Sequence, residues 1–339
     1  MTTKVLLHGR DSILLSTVLK NFAVDHSVIR SIKDTLKGSD LTNAVFQSNC
    51  PAIALTKCLY SKYYDEKNGL ILITDIPQKC IKNYLTKKEA ERKQCFIGTS
   101  IDSASKKSLS NPRVFEKKIT RRELYKAAWL AYEKAPFFDA LEKTAQYLRP
   151  REKHRGTTEK ILETCFIAIN DALTSDEIIE AYGLARQKLL HIPKKKVDFL
   201  LSIGLVGEPC LIFNEYIGKE IETMLSVCEI EVKHGYSHKN FLHNIYFEPI
   251  PSVLKPRRSM AKRIPRDVDG LILFKTAYCL EKEQRNKTII SQAEKSKIPL
   301  LVLEIKNLNS IENQFDLIKD YCLHLRLKRS ILDPKKTLC

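Results

Sequence analysis

Short apolar runs of strand length, each without a polar interruption, most restrict how this chain can fold. Val5–His8, Leu70–Thr74 and Cys95–Gly98 are such runs in the first third of the sequence. An apolar run that does not alternate with polar residues is typical of a parallel strand covered on both faces. A helical pattern around Ser12–Phe22 follows the first run. Strands and helices therefore alternate here as they do in βαβ units.

The same alternation returns in the last third of the chain. The predicted strands are Phe199–Val206, Glu229–Val232, Val268–Phe274 and Pro299–Ile305, and the predicted helices are Ile217–Val227, Lys282–Lys295 and Ile311–Leu325. Elements of these lengths favour a parallel sheet with right-handed crossovers. Such sheets bind ligands beyond the carboxyl ends of their strands, so the residues that follow Thr74, Val206 and Phe274 are the first candidates for a site.

Between these two parts, from about Lys118 to Leu190, helical spacing predominates and strand signals are absent. One of the helices is expected to be capped by Thr157 or Thr158, and the next to open at Ser175. We therefore expect an α/β protein of two Rossmann-like lobes with parallel sheets, joined by a helical segment. The predicted bounds are 1–115 for the N-terminal lobe, 116–196 for the helical connector, 197–330 for the C-terminal lobe and 331–339 for a tail.

The chain has 339 residues, ten cysteines and a formal net charge of +17. No apolar run approaches the roughly 18 residues of a membrane span, and the first residues lack the pattern of a secretory signal. We therefore expect a cytoplasmic protein, in which cysteines are reduced thiols or metal ligands. The scattered charges favour a solvated lysine-rich surface, and an acidic partner or nucleic acid remains the alternative.

Three cysteines lie at predicted loop positions or strand ends. Cys50 precedes Pro51 at the start of a helical run, Cys95 follows the Leu70–Thr74 run, and Cys279 follows Val268–Phe274. A helix N-terminus lowers the pKa of a thiol and suits it to bind iron. No CxxC pair supports a metal site by spacing alone. A small buried hydrophobe is therefore the alternative interpretation of each.

The order of several short motifs resembles the 2-hydroxyacyl-CoA dehydratase family, whose relatives include benzoyl-CoA reductase subunits, activase-related proteins and double-cubane cluster proteins. In the last third the matching stretches are Ile203–Pro209, Asn214–Ile217, Ile230–Val232, Val268–Ile272 leading to Cys279, and Ile298–Glu304. In the first third, Cys50-Pro51 with Lys57 and Gly69–Pro77 leading to Cys95 are similar to the family's first two cysteine elements.

The resemblance implies a 4Fe–4S cluster, or a double-cubane cluster, held between two lobes by three cysteines of each subunit. The family's three ligand positions correspond in this sequence to Cys50, Cys95 and Cys279, so the resemblance implies these as the metal ligands, with Cys80 as the alternative to Cys95. The resemblance also implies a homodimer or heterodimer that receives low-potential electrons from a separate ATP-hydrolysing activator. The chain itself has no phosphate-binding G-x-x-x-x-G-K-[ST] motif.

Whether the chain is an enzyme stays open at this point. An iron–sulfur reductase or a dehydratase-like lyase component acting on an acyl-CoA or another small molecule is one possibility, although no catalytic residue can be assigned. The alternative is a cluster-free relative that acts as a basic binding or regulatory module through the stretch Lys255–Arg266. Aromatic residues are not interleaved in that stretch, which argues against single-stranded nucleic acid as a partner.

The remaining cysteines and the histidines have simpler interpretations. A zinc site built from Cys228, His234, His238 and His243 is conceivable, but structural zinc sites usually have tighter paired spacings. We expect these histidines to be exposed or satisfied by hydrogen bonds. Of the other cysteines, the terminal Cys339 is expected to be free, and those on apolar faces or strand ends are expected in the core: Cys165, Cys210, Cys228 and Cys322.

Overall fold

The computed structural model describes residues 4–8, 16–17, 27–29, 70–74, 96–99, 120–197, 200–213, 217–235, 237–239, 264–265, 267–276, 280–306 and 314–332. These residues form helices and two four-stranded sheets in which every strand pair is parallel. The expected α/β fold with parallel sheets is confirmed.

The first sheet has the strand order β2-β1-β3-β4. Its strands are β1 (Lys4–His8), β2 (Ser27–Ile29), β3 (Leu70–Thr74) and β4 (Phe96–Thr99). Three of them coincide with predicted strands to within a residue. β2 has no predicted counterpart, because three residues are too few to make an apolar run. Of the helix expected around Ser12–Phe22, Ser16 and Thr17 are helical and the rest lies outside the described residues.

The stretch predicted to be a helical connector contains three helices, so its helical character is confirmed. They are α1 (Arg121–Leu148), α2 (Thr157–Asp171) and α3 (Ser175–Leu190), with a 3₁₀ turn at Arg149–Arg151 after α1. Capping boxes begin α1 and α3, since Thr120 pairs with Glu123 and Thr174 with Glu177.

The predicted cap of α2 is wrong. Its N-cap is Gly156, at φ +78°, and no side chain at that position caps the helix. Instead the Glu152 carboxylate accepts hydrogen bonds from the backbone N–H groups of Gly156, at 2.7 Å, and Thr158, at 2.8 Å. The negative charge stabilises the free N–H groups and the positive end of the helix dipole together. Thr157 and Thr158 are therefore already inside the helix.

The second sheet has the order β6-β5-β7-β8. Its strands are β5 (Leu201–Gly207), β6 (Ile230–His234), β7 (Gly270–Thr276) and β8 (Leu300–Ile305). The helices of this part are α4 (Pro209–Ile212), α5 (Gly218–Val227), α6 (Leu280–Lys295) and α7 (Phe315–Leu332). Both sheets therefore place their first strand between the second and the third, so the two predicted lobes share one strand order.

Burial explains why the predicted strands of the second sheet form. Leu201, Ile203 and Leu205 of β5 are buried, and so are all residues of β7 from Gly270 to Phe274. Successive strand residues point to opposite faces, so uninterrupted burial means that both faces of the central strands are covered. Burying each large apolar side chain contributes about 1.5–3 kcal/mol. This hydrophobic burial holds the second sheet together.

The amino ends of β7 and β8 are joined by one phenol from α7. The Tyr321 hydroxyl donates to the carbonyl oxygen of Pro299, at 2.8 Å, and accepts from the Leu271 N–H, at 3.0 Å. Burial raises the pKa of Tyr321 well above its usual range, so the phenol keeps its proton. A methyl group at Gly270 would lie 2.3 Å from this hydroxyl. Glycine is therefore required for α7 to reach the sheet.

In the part of the chain that the structure describes, none of the helices combines the length and the apolar character needed to cross a bilayer.

Candidate functional site

The carboxyl edge of the second sheet has its topological switch point between β5 and β7. From β5 the chain moves to β6 on one side and then crosses to β7 on the other. In open α/β sheets the crevice at such a reversal is the preferred ligand position. The residues at the ends of β5 and β7 are Gly207, Glu208 and Thr276.

Glu208 ties the end of β5 to the end of β7. Glu208 is buried, with 3 % of the residue exposed. Its Oε1 atom accepts two hydrogen bonds from Thr276, one from the hydroxyl at 2.5 Å and one from the backbone N–H at 3.2 Å. The Glu208 N–H also donates to the carbonyl oxygen of Phe274, at 3.3 Å. A buried carboxylate is stable only with such partners.

Gly207 lets the two strand ends approach. It has φ +120°, and a Cβ atom at this position would lie 2.2 Å from the carbonyl oxygen of Phe274. An L side chain rarely adopts that φ and no side chain would fit that gap. The glycine and the carboxylate that follows it therefore act together to close the corner between β5 and β7.

Cys279 itself lies outside the described residues. It follows Thr276 by three residues in the sequence and directly precedes Leu280, the first residue of α6.

The other predicted ligands, Cys50, Cys80 and Cys95, also lie outside the described residues. Their neighbours in the sequence are described. Cys80 follows the carboxyl end of β3, at Thr74, by six residues, whereas Cys95 directly precedes Phe96, the first residue of β4. Phe96 pairs with Ile71 near the amino end of β3. Cys80 and Cys95 are thus connected to opposite edges of the first sheet.

A second cluster of charged side chains joins α1 to α5 and β6. Arg149, directly after α1, lies 2.7 Å from Glu222, 3.2 Å from Glu142 and 2.9 Å from Glu159. The His234 Nε2 atom, at the end of β6, lies 3.5 Å from Glu222. We call Arg149, Glu142, Glu159, Glu222 and His234 the Arg149 cluster.

The electrostatics of the Arg149 cluster favour the charged forms of Glu222 and Arg149. Burial by itself would raise the pKa of Glu222, but the positive charge of Arg149, with a smaller contribution from His234, holds that pKa well below its usual range. Burial would likewise lower the pKa of Arg149, and the surrounding carboxylates raise it instead. A buried network of this kind is stable only while every charge has its partner.

Glu142, Glu222 and His234 each offer a potential metal ligand, and these atoms lie within 4.8 Å of one another. The Arg149 guanidinium contacts both carboxylates of this group, so a cation already neutralises them. The arrangement therefore fits an ion network that fastens the connector to the second sheet. Arg151, which pairs with Glu231 of β6 at 2.9 Å, makes a neighbouring link of the same kind.

The zinc interpretation of Cys228, His234, His238 and His243 finds no support among the residues described. Cys228 follows α5 before the amino end of β6, and His234 ends β6. Five strand residues separate these positions by about 13 Å or more. His238 is buried against Phe138, with its ring centroid 5.9 Å away. His243 lies outside the described residues.

Two cysteines are core residues, as predicted. Cys165 and Cys322 are buried, and burial raises the pKa of the Cys165 thiol and raises that of Cys322 to about 12. Such thiols are poor nucleophiles and poor metal ligands. Cys228 is only half-buried, so the prediction of a core position is wrong for it. The Cys210 side chain and Cys339 lie outside the description.

A shallow groove of about 270 Å³ runs between α2 and α3, and Cys165, Glu177 and Lys188 are among the residues that line it. It is slightly smaller than typical small-molecule pockets, and the one thiol in its lining is protonated by burial. Neither its size nor its thiol identifies the groove as a binding site.

The sequence analysis did not assign a role to Glu208, Thr276 or Arg149. The Gly-Glu-Pro sequence directly after a predicted strand could have drawn attention to Glu208. A carboxylate at the end of a buried strand costs free energy to bury unless it has hydrogen-bond partners. The Arg149 cluster has no such signal, because its members are up to 92 residues apart in the chain.

The fold and this corner define an α/β protein with two parallel sheets of equal strand order and a buried carboxylate at the switch point of the second. No protein-family model matches the chain, and a search of curated proteins finds none similar to it.

Proposed function

We propose that this chain is an iron–sulfur redox protein of the type found in 2-hydroxyacyl-CoA dehydratases, and that it receives low-potential electrons from a separate ATP-hydrolysing activator. The observation that carries the proposal is the equivalence of two strands. β3 and β7 are the third strands of two sheets that have the same order. In the sequence a cysteine follows each of these strands, Cys80 six residues after the end of β3 and Cys279 three residues after the end of β7.

Equivalent strand ends suit a cluster shared by two lobes. Carboxyl edges of parallel sheets are where ligands bind, and thiolates supplied from two such edges can meet in a cleft between them. Cys50, in the crossover from β2 to β3, is the third proposed ligand. Cysteine thiolates are the usual ligands of 4Fe–4S clusters, and three of them leave one iron without a cysteine.

For the middle ligand the sheet register favours Cys80 over Cys95. The residue after Cys95, Phe96, pairs with Ile71 at the amino end of the sheet. Four residues of β4 separate it from the carboxyl edge, a distance of about 10 Å. We therefore propose Cys50, Cys80 and Cys279 as the ligand set, because Cys95 is joined directly to the amino end of β4.

When bound, the cluster would supply a one-electron redox centre whose potential depends on burial and on nearby charge. The chain's own contribution is to hold the ligands and to limit water around them. Because the sequence carries no phosphate-binding glycine motif, ATP hydrolysis is assigned to a partner. A homodimer or heterodimer, and an acyl-CoA or another small molecule as the substrate, complete the proposal.

The test is anaerobic purification and reconstitution with iron and sulfide, followed by iron analysis and electron paramagnetic resonance. We expect a brown protein with about four irons per chain. Cys50→Ser, Cys80→Ser and Cys279→Ser should each lose most of the iron, and Cys95→Ser should keep it. Cys228→Ser is the matched control, since Cys228 is half-buried and lies just before the amino end of β6, away from the carboxyl edge of the second sheet.

A colourless, iron-free wild-type chain would overturn this proposal. The net charge of +17 favours, as the second candidate, a cluster-free module that binds an acidic partner through the Lys255–Arg266 stretch. Salt-dependent binding to nucleic acid in a gel-shift assay would support that alternative. Unchanged binding after neutralising Arg257, Arg258 and Arg263 together would reject it.

A further inference from the structure

We propose that the exposed face of α7 binds the same face of a second copy of this chain, with the two helices antiparallel about a two-fold axis. The proposed function leaves a homodimer and a heterodimer open, and this contact selects the homodimer. The association needs no iron–sulfur cluster, so it stands apart from the redox proposal.

The helix α7 is apolar on two sides. On the inner side Ile318, Cys322 and Leu325 are buried, and the Leu325 side chain lies beside Gly270 of the second sheet. The outer side carries four further large aliphatic residues, which are between 49 % and 78 % exposed: Leu317, Leu323, Leu327 and Ile331. Single exposed apolar residues are ordinary, whereas several on one helix face indicate an interaction surface.

Three of the exposed aliphatic residues form a continuous row. Leu323, Leu327 and Ile331 follow one another at intervals of four residues, and side chains at that spacing are neighbours on a helix surface. We call these three residues the apolar row.

A second row runs beside the apolar row and carries charge of opposite sign at its two ends. It consists of Asp320, His324 and Lys328, again four residues apart, and all three are exposed. The nearby Asp316 and Lys319 already pair with each other at 3.0 Å. Within the described part of the chain, Asp320 and Lys328 have no ion-pair partner. They are therefore available to a second copy.

This arrangement of charge is complementary to itself when the two helices are antiparallel. In a two-fold interface a residue of one copy faces its counterpart in the other, and the reverse contact also forms. An axis that passes His324 sets Asp320 opposite Lys328 of the second copy, twice in each dimer. The same axis sets Leu317 opposite Ile331 of the second copy. A parallel arrangement would instead oppose like charges at both positions, which is unfavourable.

The apolar row gains cover in the same arrangement. A two-fold axis perpendicular to the helices keeps the apolar rows of both copies on one side of the contact, so Leu323 of one copy lies beside Leu327 of the other. One helix from each copy covers less than the roughly 1,600 Å² of a standard interface, and such contacts are weak. We therefore expect a dissociation constant in the micromolar range.

The experiment is analytical ultracentrifugation of the full-length apo chain at about 1–100 μM, a range that brackets a micromolar dissociation constant. The variants are Asp320→Lys, Lys328→Asp, the double reversal of both residues, and Leu327→Ser. The matched controls lie on other helices and are also exposed: Lys287→Asp on α6 and Leu184→Ser on α3. Circular dichroism confirms that each variant folds.

The wild-type chain should form a dimer at the higher concentrations. Each single charge reversal should raise the dissociation constant at least about tenfold, because two attractive pairs become repulsive. Leu327→Ser should have an effect of the same direction, and the two controls should behave as wild type. The double reversal should restore the dimer. An equimolar mixture of Asp320→Lys and Lys328→Asp should restore it as well, since every acid then faces a base.

Three results would overturn the α7 contact. One is a wild-type chain that stays monomeric at every concentration. Another is a dimer that none of the α7 variants weakens, because it would then form through a different surface. The third is failure of both the double reversal and the mixture to restore the dimer.

Iron analysis of the reconstituted wild-type chain separates this proposal from the redox function. An iron-bearing monomer rejects the α7 contact alone. An iron-free dimer that responds to the α7 variants rejects the redox function alone.

Discussion

The Nη1 atom of Arg149 lies 2.7 Å from the Oε1 atom of Glu222, and this contact joins the end of α1 to α5. Both side chains are almost fully buried, at 12 % and 13 % exposed. Because the partners come from the connector and from the second α/β part, the pair determines how the long helix meets the edge of the second sheet.

Replacing Arg149 with Met should strongly destabilise the protein. The substitution leaves Glu142 and Glu222 buried without their cation, which costs about 3–5 kcal/mol when one partner of a buried pair is removed. Urea unfolding measures the change. The control is Lys287→Ala, which removes an exposed pair with Glu283 and should cost less than about 1 kcal/mol. Equal losses of unfolding free energy in the two variants would show that the buried Arg149 cluster stabilises the fold no more than an exposed ion pair does.

Stability should fall in acid through the Arg149 cluster. Arg149 holds the folded-state pKa of Glu222 below its unfolded value of about 4.3. The stabilisation is therefore fully present above that pH and is lost as the pH falls through the folded-state pKa. Free energies of unfolding from pH 7 to pH 2 should show a shallower acid slope for Glu222→Gln than for wild type. Identical slopes would mean that Glu222 does not contribute to the acid dependence.

Gly207→Ala and Gly183→Ala should have opposite effects on stability. At Gly207 the new methyl group meets a backbone carbonyl at a φ of +120°, and strain at such positions costs about 1–3 kcal/mol. At Gly183, inside α3, nothing lies within 4 Å of the added carbon, so alanine should stabilise the helix by about 0.5–1 kcal/mol. Thermal unfolding compares the two variants. An increased unfolding temperature of Gly207→Ala would contradict the close approach of Gly207 to the Phe274 carbonyl oxygen.

The thiols of Cys165 and Cys322 should react slowly in the folded chain. Burial raises both pKa values, that of Cys322 to about 12, and only the thiolate attacks a disulfide reagent. At pH 8 the reaction of Cys322 with Ellman's reagent should be at least about 100-fold slower than in urea-unfolded protein, and that of Cys165 should also be slower. Fast modification of either residue in the folded chain would show that the core opens readily.

Most of the strands that the sequence predicted have continuous apolar runs, and β6, which alternates apolar and polar residues, is the exception. Leu70–Thr74 is bounded as predicted, and the four strands of the second sheet differ by no more than a few residues at their ends. β2 was not predicted, because Ser27–Ile29 is short and begins with a polar residue. The cap of α2 was mispredicted because Glu152, four residues before Gly156, supplies the carboxylate that a local Ser or Thr usually provides.

The candidate site, like the fold, has parts that the sequence predicts and parts that depend on tertiary contacts. Gly207 and Glu208 are adjacent in the sequence, yet their role depends on Phe274 and Thr276, which lie 67 and 68 residues away. The predicted ligands Cys50, Cys80, Cys95 and Cys279 lie outside the described residues, so their convergence stays a prediction. What the described part adds is the register of β4, which supports our proposal of Cys80 as the middle ligand.

By itself the sequence determined the class of this protein. Uninterrupted apolar runs can be covered on both faces only in parallel sheets packed by helices, and helical spacing with capping residues is a property of neighbouring residues. Only the tertiary structure decided which strand ends meet, which charges are buried together and that Glu208 closes the corner beside Thr276. Those relations depend on crossovers of many residues, whose path is chosen by the packing of the whole core and by no short stretch of sequence.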